Sequence, residues 1–253
     1  MYTLRAELNR SIFSKGFAAG VIGTAAVLGM GAFDRFQQLL TGQGELDYGT
    51  HITVLLTALA SNTMLMALPV LAALPATTGF VEDWKSGYLK HCLPRVGARR
   101  YISAKAIAAG VAGAMVIFAG IALAYGLLLL LLLPGEKPAP PQTPTMLPDL
   151  LGKALLFALS GALWSLVGLA CSTATLSTHM AYASPFLLCY MLVILSARYF
   201  PGVAILNPQQ WLMPQMPWPG GNWGAALLVV ELAALAALSF HMAAARRLRH
   251  ESA

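Results

Sequence analysis

Charged residues are scarce in this chain. They make up 10% of its 253 residues, whereas 58% are hydrophobic and the mean hydropathy is +0.68. Soluble domains average about 25% charged residues, so this composition excludes an ordinary soluble domain. A helix that spans a bilayer needs about 20 apolar residues, and several segments reach that length. The composition therefore predicts a helical membrane protein that crosses the bilayer several times.

Cysteines are also few, and the motifs of common enzymes are missing. The three cysteines show no paired spacing, so disulfides are not expected to hold the fold. The sequence contains no H-E-x-x-H, no G-x-S-x-G and no carboxylate-rich metal pattern. A G-x-x-x-x-G-K-[ST] loop is absent, because Ala154 follows Lys153 and Leu147 stands where the first glycine belongs. We therefore expect no catalytic residue, ATPase site, metal or cofactor in this chain.

Six apolar stretches are long enough to span a bilayer. They cover roughly residues 16–33, 50–77, 106–133, 150–170, 181–197 and 223–244. Pro69 and Pro75 predict a kink near the inner end of the second stretch, because each removes a backbone donor. The first stretch is interpreted as an uncleaved helix, since no small-residue cleavage site follows it. Residues 1–253 are predicted to form one all-α transmembrane domain.

Three further segments complete the predicted layout. Residues 1–15 place Leu4, Leu8 and Ile12 four positions apart, which is typical of an amphipathic helix in the membrane interface; a frayed extension is the alternative. Residues 79–104 form a basic loop between the second and third spans. Residues 198–222 combine five prolines with apolar residues, which favours a re-entrant or interfacial outer segment before the sixth span.

Lysine and arginine are divided unequally between the two sides of this layout. Twelve of the sixteen lie in the N-terminal segment, residues 80–105 and the C-terminal tail, and four lie in the other loops. Cytoplasmic loops carry an excess of these residues, so both termini and the basic loop are predicted to be cytoplasmic. The same placement explains the net charge of +6 without a nucleic-acid partner.

Polar residues at the membrane are the remaining candidates for chemistry. Glu231 lies well inside the sixth predicted span, where a charged group costs roughly 2.5–3.5 kcal/mol. Two interpretations stay open: a residue that contacts substrate or gates a cavity between helices, and a protonated or hydrogen-bonded packing residue. The histidines are scattered near predicted membrane boundaries and are expected to be interfacial. They are His51, His91, His179, His241 and His250.

The basic loop carries the strongest functional pattern. It combines an acid, a small residue before glycine, a proline, an Arg-Arg-Tyr triplet and a final lysine. These residues are Glu82, Ser86, Gly87, Leu93, Pro94, Arg99, Arg100, Tyr101 and Lys105. Their order resembles the permease subunits of type-2 ATP-binding-cassette (ABC) exporters. Asn207 and Pro208, which precede Trp211, are similar to the broken outer segment before the last helix of that family.

The resemblance covers nearly the whole chain and implies roles for named residues. In that family the loop forms a cytoplasmic coupling helix, which inserts into a groove on a separate ATPase subunit. The residues expected to dock there are Phe80, Glu82, Asp83, Trp84, Ser86, Gly87, Tyr88, Leu89, Leu93 and Pro94. The residues expected to anchor the third span at the membrane interface are Arg99, Arg100, Tyr101 and Lys105. The candidates for the pathway or its gate are Glu231, Asn207 and Pro208.

The residue types of the loop also favour docking without the resemblance. Trp84, Tyr88 and Leu89 supply apolar anchors of the kind that dominate protein interfaces. Acids open the stretch and basic residues follow, which suits the helix dipole. A lipid-facing basic loop is the alternative.

The resemblance further implies one half of an exporter in the bacterial plasma (inner) membrane. The expected partners are a second permease copy or paralogue, membrane lipid, and two ABC ATPase subunits that bind ATP and Mg. The expected cargo is an amphiphile, such as a drug, an antimicrobial peptide or a lipid-like molecule, moved out of the cell. Two alternatives are a membrane scaffold or importer component, and an intramembrane enzyme that uses Asn62, Ser160 and Ser165.

Overall fold

The computed structural model describes residues 2–40, 46–138, 146–200, 202–214, 218 and 221–251. These residues form helices and turns, with no β-strand among them. The all-α class predicted from the sequence is therefore confirmed for this part of the chain. Five helices are long and apolar enough to cross a membrane, and a bent pair of shorter helices raises the number to six if the pair is one span.

The described residues contain eleven α-helices. In the described residues they are α1 (Tyr2–Ile12), α2 (Lys15–Leu40), α3 (Thr50–Leu59), α4 (Asn62–Ala73), α5 (Gly79–Lys85), α6 (Tyr88–Val96), α7 (Ala98–Leu132), α8 (Leu147–Thr175), α9 (Thr178–Arg198), α10 (Pro208–Leu212) and α11 (Gly221–Glu251). A 3₁₀ turn follows α7 at Leu133–Gly135, and another precedes α10 at Ala204–Leu206. The candidate spans are α2, α7, α8, α9, α11 and the bent pair α3–α4.

The second predicted span is broken near its middle. Helices α3 and α4 meet at an angle of 70°. Ser61 has an extended backbone, and its side chain accepts a hydrogen bond from the Met64 backbone N–H at 3.2 Å, so it caps α4. Pro69 remains inside α4, and α4 ends before Pro75. The main bend therefore lies at Ser61 and not at either proline.

Helix α7 begins earlier than the predicted third span. It starts at Ala98, directly after Gly97, and runs for 35 residues. At 1.5 Å per residue it is about 52 Å long, which exceeds the bilayer core of about 30 Å. Because no residue between Ala98 and Lys105 breaks a helix, the membrane part and the basic part of α7 form one continuous element.

Helix α8 lies at the centre of the bundle. Of its most apolar stretch 61% is buried, against 22% for α2 and for α11. Helices α7 and α8 approach closely at two glycines: a Cβ atom on Gly161 would lie 2.6 Å from the Gly113 carbonyl oxygen. The Ser165 hydroxyl of α8 donates to the Ala109 carbonyl oxygen of α7 at 2.9 Å. Small residues and such hydrogen bonds are typical of helix contacts in membranes.

Helix α1 packs against α7 with polar residues on its buried side. Glu7 is 8% exposed and Ser11 is 6% exposed. The apolar residues of the predicted stripe, Leu4, Leu8 and Ile12, are half-buried. The orientation of α1 is therefore set by its polar residues as well as by its apolar ones.

The segment before α11 is irregular and contacts the bundle. The Asn207 side chain accepts a hydrogen bond from the Gln209 backbone N–H at 3.0 Å and caps α10. The Trp211 ring stacks on Trp164 of α8, with ring centroids 6.4 Å apart. Its indole N–H donates to the Ile205 carbonyl oxygen at 2.9 Å. Of the predicted outer segment 198–222, residues 201, 215–217, 219 and 220 lie outside the described residues.

Candidate functional site

The basic loop forms a pair of short helices, α5 and α6. Ser86 and Gly87 separate them, and Gly87 has φ of 71°, a left-handed conformation that favours glycine. Gly97 has φ of 80° and separates α6 from α7. The two glycines turn the chain sharply at each end of α6, so the α5–α6 pair folds back on the bundle instead of extending α4 or α7.

The predicted docking residues divide between the outer and inner faces of the α5–α6 pair. Those exposed are Glu82, Ser86, Tyr88 and Pro94, and those half-buried are Trp84, Gly87 and Leu93. In contrast, Phe80 is 0% exposed, and Asp83 and Leu89 are each 2% exposed. The side chains of these three point into the chain and hold the pair in place, and their contact with a partner stays a prediction.

A cluster of charged and polar side chains lies under the α5–α6 pair. We call it the charged junction; it consists of Glu7, Arg10, Glu82, Asp83, Tyr101 and Lys105. Asp83 is at its centre. One carboxylate oxygen accepts a hydrogen bond from Arg10 at 2.6 Å. The other accepts from the Tyr101 hydroxyl at 2.6 Å and from the Lys105 ammonium at 2.5 Å.

Two further ion pairs extend the charged junction. Lys105 also donates to the Glu7 carboxylate at 2.8 Å, and the side chains of both residues are 10% exposed or less. Arg10 reaches the Glu82 carboxylate at 3.1 Å, where both side chains are about half exposed. Charged hydrogen bonds therefore join α1 to α5 and α7 across 72 to 98 residues of sequence, and α5 to α7 across 22 residues.

The pKa shifts of Asp83 and Arg10 agree with this geometry. Burial by itself raises the pKa of the Asp83 carboxyl, but the nearby Lys105 charge and the hydrogen bonds from Lys105, Tyr101 and Arg10 outweigh it, so the pKa lies below its ordinary value of 3.8. The hydrogen bond to Asp83 raises the pKa of Arg10 above its ordinary value. Asp83 is thus a buried carboxylate that stays charged because its partners are in place.

Aromatic packing connects the α5–α6 pair to the last helix. The Phe80 ring lies 6.0 Å from the Phe240 ring of α11 in an edge-to-face arrangement. It also lies 6.1 Å from Trp84 and 6.4 Å from Tyr101. Such pairs prefer these offset or edge-on geometries. A displacement of α5 therefore acts on α7 and α11 together.

A polar cavity of about 210 Å³ lies beside the charged junction. Glu7, Arg10 and Lys105 line it together with Ser14 and Tyr182. Water occupies about 30 Å³ per molecule in the liquid, so the cavity has room for several molecules that could hydrogen-bond to the charged side chains. We interpret it as the solvated side of the charged junction.

The predicted interface anchors also divide into two groups. Arg99 and Arg100 are exposed at the start of α7. Tyr101 is 0% exposed and Lys105 is 4% exposed. Both side chains lie inside the chain and donate hydrogen bonds to Asp83, and the anchoring role of the four residues stays a prediction.

The predicted pathway residues lie in different environments. Glu231 is exposed on α11, within a candidate span, and makes no hydrogen bond or ion pair with the described residues. Asn207 caps α10, and Pro208 is buried at its first position. The roles of these three residues in a pathway stay predictions.

A histidine and a glutamate form a further side-chain contact that was not predicted from the sequence. His51 Nδ1 lies 2.8 Å and 2.9 Å from the two Glu136 carboxylate oxygens. Glu136 also accepts from the backbone N–H of His51 at 2.7 Å and of Gly49 at 3.2 Å. The pair joins the start of α3 to the end of α7 at the end of the bundle opposite the charged junction. No local pattern indicates it, because 85 residues separate the partners.

The three residues considered for an intramembrane enzyme, Asn62, Ser160 and Ser165, make no hydrogen bond with one another in the described part of the chain. Ser165 donates to a backbone carbonyl of α7, Asn62 is exposed, and the buried Ser160 hydroxyl has no partner among the described residues. Within the same part of the chain, no group of three or more His, Cys, Asp or Glu side chains is arranged to hold a metal ion.

Comparison with known proteins gives no relative from which a function could be transferred. No family model matches the chain, and no curated protein matches it. The functional interpretation therefore depends on the residues and geometry described above.

Proposed function

We propose that the chain is the transmembrane permease subunit of an ATP-driven ABC exporter, and that the α5–α6 pair is its docking element for a separate ATPase. The observation that carries this proposal is the contrast between the two faces of the pair. Its outer face exposes Glu82, Ser86 and Tyr88, while its inner face is held by the buried Asp83 carboxylate. A force that a partner applies to the outer face is therefore transmitted to the bundle, because the inner face keeps the α5–α6 pair attached.

The charged junction supports the transmission step. Asp83 bonds to residues on α1 and α7, and α7 is one continuous helix from Ala98 to Leu132. A force applied to α5 would therefore be passed to a full-length membrane helix. Removing one partner of such a buried pair costs about 3–5 kcal/mol, because the other charge is left buried and unpaired, so the partners are expected to move together.

The layout of the remaining chain fits a half-transporter. We propose that both termini and the α5–α6 pair are cytoplasmic, and that α10 with its flanking residues is a re-entrant outer segment. The chain then lies in a bacterial plasma membrane and pairs with a second copy or a paralogue. Two ATPase subunits bind ATP and Mg, and closure of their dimer rocks the helices and moves an amphiphile outwards.

Co-purification tests this proposal. The tagged full chain is isolated in mild detergent from its native host, and co-purifying proteins are searched for a G-x-x-x-x-G-K-[ST] ATPase. We expect the ATPase to be retained and to hydrolyse ATP. Tyr88→Asp, at a side chain that is 49% exposed, should lower its retention about tenfold or more.

A matched control uses a tyrosine at the other end of the bundle. Tyr199 is 63% exposed, and Tyr199→Asp should leave ATPase retention unchanged. Absence of a P-loop ATPase from the purified complex would contradict the proposal. Enzymatic activity of the isolated chain without a partner would favour the intramembrane enzyme instead.

A further inference from the structure

A groove of about 820 Å³ lies between the start of α7 and the C-terminal part of α11. Arg99 of α7 and Arg246 and Arg249 of α11 line it, and none of its described lining residues is an acid. Ile102 and Met242 contribute to its apolar wall. The groove therefore combines positive charge with hydrophobic surface at the same end of the bundle as the charged junction.

A second groove, of about 350 Å³, lies between α8, α9 and α11. Its lining is almost entirely apolar and includes Trp164, Leu188, Leu192 and Leu235. Ser239 lines both grooves, so the apolar groove meets the basic one at this residue. Helices α8, α9 and α11 are all candidate spans, which places the apolar groove within the depth of the membrane.

One face of α11 runs along both grooves. Six of the α11 residues that line the grooves recur at alternating steps of three and four, which puts these six on the same side of the helix. They are Leu232, Leu235, Ser239, Met242, Arg246 and Arg249. The helix rises about 16 Å from Leu235 to Arg246, close to half of a bilayer core of about 30 Å. The apolar part of this face is therefore as long as one leaflet, and the arginines lie at its edge.

We propose that this face of α11 binds an anionic glycerophospholipid from the leaflet at the charged-junction end. Its phosphate group lies between Arg99 and Arg246, and an acyl chain follows the apolar wall towards Leu235. Guanidinium groups bind phosphate through paired hydrogen bonds, and basic residues near the surface attract anionic lipids. The proposal concerns this chain alone and does not depend on the proposed exporter function.

Charge favours a lipid over a second copy of the chain as the occupant. A copy related by a two-fold axis along the membrane normal would bring its own arginines to the same end of the membrane. Arg99 and Arg246 would then face like charges, whereas an anionic headgroup neutralises them. A free phosphate ion would fill the basic part and leave the apolar wall uncovered.

Native mass spectrometry of the full chain in mild detergent tests the proposal. The probes are phosphatidylglycerol and phosphatidylcholine with identical acyl chains. We expect the anionic lipid to be retained about tenfold more strongly, since each basic residue near the surface adds to its attraction. This comparison uses the unaltered protein and needs no variant.

Matched double variants then locate the site. Arg99→Gln with Arg246→Gln should reduce phosphatidylglycerol retention to the phosphatidylcholine level. Arg5→Gln with Arg95→Gln removes the same charge from exposed arginines that do not line the groove, and should leave retention unchanged. Ser239→Trp, which fills the point where the two grooves meet, should lower retention with both arginines present.

Four results would overturn the proposal. The first is equal retention of the two lipids, and the second is an equal loss in both double variants. The third is displacement of the lipid by inorganic phosphate, which would indicate that the apolar wall takes no part. The fourth is near-complete cross-linking between copies through Met242→Cys in a cysteine-free background, which would make this face a contact between chains.

Discussion

The Asp83 carboxylate accepts hydrogen bonds from side chains on α1 and α7, although its neighbour Glu82 is exposed. Adjacent residues on a helix point about 100° apart, so two acids in a row can have opposite surroundings. Both acids were predicted to lie on the docking surface, because the type of residue alone does not tell which acid faces inwards. That choice depends on Arg10 and Lys105, which are remote in sequence.

Neutralising Asp83 should destabilise the chain far more than neutralising Glu82. Asp83→Asn leaves Lys105 and Arg10 without their shared carboxylate, and we expect a loss of about 3–5 kcal/mol, typical of a broken buried ion pair. Glu82→Gln removes an ion pair between half-exposed side chains, worth about 1 kcal/mol or less. Thermal unfolding of each variant in detergent measures the difference. Equal losses would mean that Asp83 is not the centre of the charged junction.

Among the helices, the close contact between α7 and α8 requires glycine at positions 113 and 161. A Cβ atom on Gly113 would lie 2.5 Å from the Ser165 Cβ and 2.7 Å from the Gly161 carbonyl oxygen. Apolar length predicted these two elements as spans of roughly residues 106–133 and 150–170, and the structure has helices over both stretches. The extension of α7 to Ala98 and the break at Ser61 were not predicted, since the capping of Ser61 is a local hydrogen bond that apolar length does not reveal.

Adding one methyl group to α7 should have opposite effects at two neighbouring glycines. Gly113→Ala forces a backbone carbonyl of α8 to move, so we expect a destabilisation of about 1–3 kcal/mol. Gly110→Ala adds a Cβ atom 3.6 Å from Leu166, an ordinary contact, and should be neutral or slightly stabilising through helix propensity. The midpoint of thermal unfolding measures both effects. A Gly113→Ala variant as stable as Gly110→Ala would contradict the close approach.

The whole molecule has one end rich in Lys and Arg and another end with few of them. Lys90 is exposed on the α5–α6 pair, and Lys137 is exposed beside the His51–Glu136 pair. Charge counting along the sequence was enough to separate these ends, because it needs only the order of spans and loops. It could not supply the contacts that close each end, such as Glu7 with Lys105 or His51 with Glu136, which join residues 98 and 85 apart.

Labelling of intact cells tests the arrangement of the two ends across the membrane. In a cysteine-free background, a membrane-impermeant thiol reagent should modify Lys137→Cys and should leave Lys90→Cys unmodified until the cells are opened. The physical reason is that basic loops are retained on the cytoplasmic side. Labelling of Lys90→Cys from outside would reverse the orientation and remove the docking proposal with it.

The bend between α3 and α4 has a mechanical consequence. Helix α3 is fastened at its start by the Glu136 carboxylate, whereas α4 leads through a few turns into α5. One half of this broken span is thus tethered to the far end of the molecule, and the other half is continuous with the near end. Ser61 lies between them at the position of a hinge. When α5 is displaced, α4 can therefore rotate about Ser61 while α3 stays in place. Bending at the residue that caps α4 would then replace the sliding of the whole α3–α4 pair.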